Sequence, residues 1–205
     1  MKIYLTRHGE SEWNVEGRLQ GSFDSILTAK GIEDSWKLSK YLEQEKIGID
    51  RIYTSVSSRA VETAEIIAKS RKLEPIPLKE LKEMNSGSWQ GRTWAEIKRL
   101  NAKGYKNYWQ SPHLYQAENG GEDFKQVEDR VLAFINRIIK ENENKNLLIV
   151  SHGVVLTSLL NYYQNQPIRK FWDQPPIQGA SLSLIEIRAK QARVVFRGRD
   201  DYLKN

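Results

Sequence analysis

Two of the three histidines in this 205-residue chain occupy matching places in the sequence. His8 and His152 each follow a short run of strand-forming residues, and each is followed directly by a glycine. A neutral imidazole nitrogen can accept a phosphoryl group near pH 7, so this paired placement indicates phosphoryl chemistry. Arg7 precedes His8 and offers a planar, bidentate donor for phosphate oxygens beside the candidate nucleophile.

Such chemistry requires further cations and a proton donor. A transferring phosphoryl group carries negative charge on its equatorial oxygens, so several donors must surround it. Arg59 follows a predicted strand and lies at the start of a predicted helix, where backbone N–H groups can join it around one anion. A leaving alkoxide needs a proton, which a carboxyl group such as that of Glu83 can supply. By position alone, however, Glu83 is typical of a solvent-facing charge.

The elements that must position these residues are strands that end at one edge of a sheet. Strands are predicted at residues 2–6, 49–54 and 147–150, with a short edge strand at 75–78 and an antiparallel pair at 181–187 and 192–197. Helices are predicted after Thr28, after Ser57 or Ser58, over 124–138 and after Gly153. This alternation predicts a three-layer α/β/α fold, doubly wound around a mostly parallel sheet. Ligands bind beyond the carboxyl ends of such strands, where both histidines fall.

Residues 84–120 differ from the rest of the predicted single domain of residues 1–205. They are rich in glycine and aromatic residues, and we interpret them as an insertion over the active site with one helix near residues 93–102. The aromatic side chains can either form the insertion's own small core or line a substrate pocket. His113 lies in this segment and matches no motif, so its role stays open between a surface residue and a substrate contact.

Composition excludes several classes of function. The chain has no cysteine, so it contains no disulfide, thiolate zinc site or cysteine nucleophile. Its net charge of +6 is dispersed, which favours a solvated surface over a nucleic-acid partner. We find neither a signal-peptide core nor an apolar run of about 20 residues, so we expect a cytoplasmic protein with no membrane partner. Glu10 and Glu12 lack convergent histidines and are weak evidence for a metal.

The motifs together resemble those of the histidine phosphatase superfamily, in its phosphoglycerate-mutase-like branch. The first block is LTRHGES at residues 5–11, followed by WN at 13–14 and GRLQG at 17–21. The resemblance continues in the family's order and spacing over nearly the whole chain, at Asp24, residues 27–28, Gly31, Ser55, residues 59–60, 63–64 and 81–83, Gly87, Trp89, Gly91 and residues 151–153. Each short motif could arise by chance, but their joint order identifies the chain as similar to this family.

The resemblance implies a role for each matching residue. His8 matches the phosphorylated nucleophile, and Arg7, Arg59 and His152 match the groups that bind the phosphoryl oxygens. Glu83 matches the acid that protonates the leaving oxygen and later activates water. Residues of the phosphate pocket are matched by Asn14 and, less closely, by Gln20 and the backbone of Gly21. The family works without a metal or other cofactor, so we expect only a small phosphorylated substrate as partner, and a monomer or homodimer.

The same active site can serve a phosphatase or a mutase. Phosphoglycerate mutases that depend on the bisphosphorylated cofactor carry an Arg and a Tyr after the acid and an Arg-Arg pair further on. Here Glu83 is followed by MNSG at residues 84–87, and residues 84–120 contain no Arg-Arg pair. We therefore expect a phosphomonoesterase for a small metabolite. The alternatives are a 2,3-bisphosphoglycerate-dependent mutase and an inactive phosphate-binding module.

Overall fold

The computed structural model describes residues 1–118, 120–189 and 191–204. Within these ranges the strands are β1 (Lys2–Arg7), β2 (Arg51–Ser55), β3 (Ile76–Leu78), β4 (Leu147–Ser151), β5 (Leu182–Arg188) and β6 (Gln191–Arg199). The α-helices are α1 (Glu12–Val15), α2 (Ala29–Gln44), α3 (Ser58–Lys69), α4 (Trp94–Leu100), α5 (Ala102–Gln110), α6 (Phe124–Glu141) and α7 (Gly153–Tyr163). Short 3-10 helices cover Lys79–Leu81, Gly87–Trp89, Pro112–Leu114, Ile168–Lys170 and Asp201–Leu203.

The strands form one sheet in the order β3-β2-β4-β1-β5-β6. Strands β3, β2, β4 and β1 pair in parallel, whereas β5 pairs antiparallel with β1 and with β6. The carboxyl ends of β2, β4 and β1 therefore lie side by side at one edge of the sheet. The predicted mostly parallel α/β sheet is confirmed.

Helices cover both faces of the sheet. Because side chains alternate along a strand, Ile3 and Leu5 of β1 face the core shared with α6 and α7, and Tyr4 faces the core shared with α2 and α3. Strand β4 is buried at all five positions, as expected for a central strand between two helical layers. This three-layer packing fixes the strand ends that carry the candidate site residues.

Side-chain caps set where several helices begin. The hydroxyl of Thr28 accepts a hydrogen bond from the Gly31 N–H at the start of α2, and the carboxylate of Asp123 accepts one from the Gln126 N–H at the start of α6. In the part of the chain that the model describes, no helix combines the length and apolarity that a membrane crossing needs.

The segment around residue 100 differs from the prediction. One helix was expected near residues 93–102, but α4 ends at Leu100 and α5 begins at Ala102. Asn101 has non-helical dihedrals (φ −143°, ψ 73°), and its side-chain oxygen accepts a hydrogen bond from the Gly104 N–H at 2.7 Å. The same residue thus ends one helix and caps the next. Asparagine and glycine both have low helix propensity, so the hydrophobic periodicity of the sequence does not predict the second helix.

Candidate active site

The two histidines meet because β1 and β4 are neighbours in register. Arg7 pairs with Ser151, and the His8 N–H donates to the Ser151 carbonyl at 3.0 Å, which extends the ladder past the last residue of β1. The imidazole rings of His8 and His152 lie edge to face, with centroids 5.1 Å apart and planes 61° apart. Both residues are almost fully buried. The sequence-predicted pairing of these rings is therefore present.

The loop after β1 needs a glycine directly after His8. A Cβ on Gly9 would lie 2.3 Å from the carbonyl oxygen of Gly31 in α2, so no side chain fits there. The Gly9 N–H donates to the hydroxyl of Thr63 in α3 at 3.0 Å. These contacts fix the His-Gly turn against both helices of one layer.

The hydrogen bonds of His8 define which ring nitrogen carries the proton. Its Nδ1 lies 2.7 Å from the Gly9 carbonyl oxygen, which can only accept, so Nδ1 carries the proton. In the neutral ring the lone pair is then on Nε2, and Arg59 donates to it from Nε at 3.3 Å. A lone pair on a buried, unprotonated Nε2 is what a phosphoryl acceptor requires.

His152 has the opposite tautomer. Its Nδ1 lies 3.2 Å from a terminal nitrogen of Arg59, which can only donate, so Nδ1 accepts. Its Nε2 then carries the proton and donates to the hydroxyl of Ser55, at the end of β2, at 2.8 Å. The ring does not line the cavity described below and lies behind that of His8.

Arg59 is the central cation of the site. It lies in the first turn of α3, with only 1% of its surface exposed, and it contacts both histidines. Its terminal nitrogens also donate to the carbonyls of Gly21 and Phe23 and, at 2.9 Å, to the carboxylate of Asp24. Burial lowers the pKa of Arg59, and the charge of Asp24 opposes this effect. The carboxylate thereby stabilises a buried positive charge next to His8.

Arg7 supplies the second buried guanidinium. One terminal nitrogen donates to the Ile177 carbonyl at 3.1 Å, while its buried Nε has no hydrogen-bond partner in the structure. A buried donor without a partner costs free energy, and the Arg7 side chain lines the cavity described below. Burial and the charge of Arg59 lower the pKa of Arg7, and the charge of Glu83 raises it.

Backbone N–H groups hold the carboxyl group of Glu83 at the cavity. Its Oε1 accepts from the Met84 N–H at 2.9 Å, and its Oε2 accepts from the Val154 N–H at 3.1 Å. Oε2 also lies 3.8 Å from the position that a Cβ on Gly153 would take, with the Nε of Arg7 at 4.0 Å from it. The carboxyl group is therefore fixed near the start of α7, close to the cations.

These groups line one cavity of about 440 Å³. Its inner end is formed by Arg7, His8, Arg59 and Glu83, together with the loop residues that the family resemblance singled out. Its outer walls are mainly apolar and aromatic, and they comprise Leu19, Met84, Trp94, Tyr108, Trp109, Val154, Trp172, Pro176 and Ile177. The predicted alternatives for the aromatic residues both occur, since Trp94, Tyr108 and Trp109 face the cavity whereas Trp89 and Tyr115 are core residues that do not line it.

The predicted phosphate-pocket residues also line the cavity. Asn14 accepts from the backbone and hydroxyl of Ser11 through Oδ1, so its amide hydrogens are not used in these contacts. Gln20 donates to the Ser11 hydroxyl at 2.7 Å and accepts from Ser25 at 3.0 Å, which ties both ends of its amide to the loop. Gly21 has a φ of +55°, and its carbonyl accepts from Arg59.

Some site residues were not assigned from the sequence. Asp24 and Ser55 belonged to the matched motifs, but only the structure shows that they hold Arg59 and His152. Trp172 and Ile177 come from an irregular segment without a chemical motif, so no signal in the sequence pointed to them. His113 is exposed and does not line the cavity. Across the three described ranges, no group of three or more His, Asp or Glu side chains is placed to hold a metal ion.

Both buried histidines are held in their neutral form. Burial, and then the charges of Arg7 and Arg59, keep the pKa of His8 well below its usual range. Burial, and then the charges of Arg59 and His8, do the same for the pKa of His152. Both rings therefore remain unprotonated at pH values where an exposed histidine is already charged.

We expect this to make the protein less stable as the pH falls. Below a pH of about 6.5 the unfolded chain binds protons that the folded rings do not, so the free energy of unfolding decreases. Between pH 7.5 and 5.5 each ring contributes a loss of up to about 1.4 kcal/mol. Urea denaturation at both pH values measures this loss of unfolding free energy. His8→Gln and His152→Gln should each remove the contribution of one ring from the loss. A wild-type stability that stays level over this range would contradict the prediction.

The chain is similar to several characterised or solved proteins. YhfR of Bacillus stearothermophilus, a solved structure, is 39% identical, with a TM-score of 0.94 and 98% of each chain covered. Phosphoserine phosphatase 1 of Hydrogenobacter thermophilus is 30% identical over 93% of this chain and 89% of that protein. The adenosylcobalamin/alpha-ribazole phosphatase of Salmonella typhimurium is 33% identical over 96% of this chain and 99% of that protein. Proteins named probable phosphoglycerate mutase match at comparable identity.

A family comparison covers nearly the whole chain. The model of the histidine phosphatase superfamily (branch 1) matches residues 3–199, a range that contains both histidines, both buried arginines and Glu83. The resemblance inferred from the sequence motifs is confirmed, and the chain belongs to the histidine phosphatase superfamily.

Proposed function

We propose that the protein is a phosphomonoesterase that hydrolyses small phosphorylated metabolites through a phosphohistidine at His8. The observation that carries the proposal is the unprotonated Nε2 of His8 in a cavity that also holds two buried guanidinium groups and a fixed carboxyl group. A site that only bound phosphate would need the cations but neither the nucleophile nor the acid. The relatives named as phosphatases support the hydrolytic class.

In the first step, the lone pair of His8 Nε2 attacks phosphorus as the bond to the ester oxygen breaks. The electrons of that bond move to the leaving oxygen, which takes the proton of the Glu83 carboxyl group. Arg7 and Arg59, which both line the cavity, stabilise the charge on the equatorial oxygens. The family resemblance assigns His152 to the same phosphoryl oxygens, but in this structure its ring does not line the cavity and its nitrogens contact Arg59 and Ser55.

In the second step, water replaces the alcohol. The Glu83 carboxylate takes a proton from the water as its oxygen attacks phosphorus, and the electrons of the P–N bond return to His8 Nε2. Phosphate leaves, and Glu83 is again protonated for the next cycle. The hydrogen bond from His8 Nδ1 to the Gly9 carbonyl keeps the ring in one tautomer through both steps. Asn14, Gln20 and the Gly21 backbone shape the phosphate pocket.

The charges that line the cavity favour hydrolysis over mutase activity. Beyond Arg7 and Arg59, the only cation among its lining residues in the described ranges is Arg18. Arg18 is already paired with Glu16 and donates to the Gly91 carbonyl at 2.9 Å. A bisphosphorylated acid carries a second phosphate and a carboxylate, which would be poorly neutralised against apolar and aromatic walls. A monophosphate with a neutral or weakly charged organic part suits this cavity better.

The partners and location follow from the same proposal. A small diffusible substrate is the only partner required, and we propose no nucleic-acid or membrane partner, no metal and no cofactor. The dispersed positive charge and the absence of cysteine fit a cytoplasmic protein, either a monomer or a homodimer. A modest positive field also draws anionic substrates toward the cavity.

A substrate panel tests the proposal. We expect hydrolysis of p-nitrophenyl phosphate in the presence of a chelator, with at least one of phosphoserine, α-ribazole phosphate and 3-phosphoglycerate also releasing inorganic phosphate. Isomerisation of 3-phosphoglycerate that depends on the bisphosphorylated primer would instead establish a mutase. Phosphate binding without any turnover would establish the inactive module. Each of these two outcomes would overturn the proposal.

A further inference from the structure

Tyr108 brings a hydroxyl group into the apolar part of the cavity. The residue lies on α5, is only 2% exposed, and lines the same cavity as His8 and Glu83. No hydrogen bond joins its hydroxyl to another residue of the described ranges. The hydroxyl is also not one of the side-chain polar atoms that lack both accessible surface and a hydrogen-bond partner. It is therefore a donor that faces the space in which a substrate would lie.

The ring of Tyr108 is fixed on all sides. Six aromatic rings surround it with centroids 5.1 to 5.9 Å away, those of Trp89, Trp94, Trp109, Tyr115, Phe124 and Trp172. Its backbone carbonyl accepts a hydrogen bond from the indole of Trp172 at 2.7 Å. A donor held so rigidly loses little conformational entropy when it binds a ligand atom.

Tyr108 and Glu83 line the same cavity and influence each other electrostatically. Burial, and next the negative charge of Glu83, raise the pKa of Tyr108 well above its usual value, so the phenol keeps its proton. Both oxygens of Glu83 accept hydrogen bonds from backbone N–H groups, and neither accepts one from the phenol. The two side chains are thus close enough to interact electrostatically but are not joined by a hydrogen bond, and both line the cavity.

We propose that Tyr108 is a catalytic residue that donates a hydrogen bond to the leaving-group oxygen of the substrate, which lies between it and Glu83. This inference rests on the proposed phosphatase function and extends it. When the bond from phosphorus to the ester oxygen breaks, the oxygen gains an electron pair and takes the Glu83 proton. Tyr108 keeps its own proton throughout and stabilises the negative charge that develops before proton transfer is complete.

This role predicts a dependence on the basicity of the leaving group. A basic alkoxide or phenoxide develops charge that needs a donor, whereas p-nitrophenolate disperses its charge into the ring and needs little help. In Tyr108→Phe, kcat/KM for phenyl phosphate should therefore fall by about 10- to 100-fold, the range expected for a hydrogen bond to a charged group. For p-nitrophenyl phosphate the fall should be about 3-fold or less, by the same reasoning.

The experiment compares the wild type with Tyr108→Phe over a series of substituted phenyl phosphates. The slope of log kcat/KM against the leaving-group pKa should become steeper in the variant. Tyr115→Phe is the matched control, because this tyrosine belongs to the same aromatic cluster but does not line the cavity. It should leave the slope unchanged. Thermal unfolding of both variants separates folding defects from catalytic ones.

The outcomes distinguish this inference from the function on which it rests. If the wild type hydrolyses none of the phenyl phosphates, the proposed function fails. If the wild type hydrolyses them but Tyr108→Phe loses the same factor for every leaving group, or loses nothing, only the role of Tyr108 is overturned. A steeper slope in Tyr115→Phe as well would assign the effect to packing of the cluster and would also overturn it.

Discussion

Replacing His8 with alanine is expected to lower kcat by about 10⁴- to 10⁶-fold, the range seen when an enzyme loses its nucleophile. The variant lacks the Nε2 lone pair that receives the phosphoryl group, so no covalent intermediate can form. The two cations proposed to bind phosphate, Arg7 and Arg59, remain, because their other contacts do not involve His8. The measurement is single-turnover hydrolysis of a phosphate ester, with the phosphoenzyme trapped by a quench in alkali, in which phosphohistidine survives.

His113→Ala provides the matched control for this variant. That histidine is exposed and does not line the cavity, so its loss should leave kcat within about twofold of wild type, as for surface substitutions in general. Added imidazole should partly restore the activity of His8→Ala, because it can enter the space that the ring occupied. If His8→Ala keeps wild-type turnover, His8 is not the nucleophile and the mechanism proposed above is wrong.

Much of the site was predictable because the chemistry lies at the ends of strands. The apolar run before His152 and the β-forming run before His8 predict two buried strands. A parallel pairing of such strands brings the next residues together. The register of Arg7 with Ser151 then fixes the distance between the rings. Glu83 was different, because no local pattern separates it from a surface charge, and only the family motif pointed to it.

The structure adds the partners that a sequence pattern cannot reveal. Asp24 is distant from Arg59 in the sequence, and Ser55 is distant from His152. Only folding brings the members of each pair together, and their hydrogen bonds depend on how α3 and β2 are packed. The tautomers of the two histidines follow from these contacts and not from the residue types. The cavity wall formed by Trp172 and Ile177 comes from an irregular segment. Neither hydrophobic periodicity nor a helix-capping motif predicts the structure of such a segment.

The contacts of Arg59 connect the fold to the chemistry. This guanidinium donates to both rings, and in each case it faces the nitrogen that carries the lone pair. It thereby disfavours protonation of that nitrogen, which is consistent with the low pKa of both histidines. Together with burial and the charge of Arg7, this buried cation, which Asp24 stabilises, favours the unprotonated form of the proposed nucleophile.

Glu83→Gln is expected to lower kcat/KM for phenyl phosphate by about 10²- to 10⁴-fold, the usual contribution of a general acid or base. The amide cannot protonate the leaving oxygen, and it cannot accept a proton from the attacking water. With p-nitrophenyl phosphate, whose leaving group needs no proton, the first step should be affected less than the second. The phosphohistidine should then accumulate, and rapid mixing should show a burst of p-nitrophenol followed by slow turnover.

The control for this variant is Glu80→Gln, which removes a nearby carboxylate that pairs with Arg137 and does not line the cavity. It should leave both the burst and the turnover unchanged. Glu83→Gln places an NH₂ group against one of two backbone N–H donors, from Met84 or Val154, so we also expect a loss of about 1 kcal/mol in unfolding free energy. Urea denaturation separates that loss from the kinetic effect. If phenyl phosphate is still cleaved at the wild-type rate, another group must donate the proton, and the hydrogen bonds of Glu83 serve only to hold α7 in place.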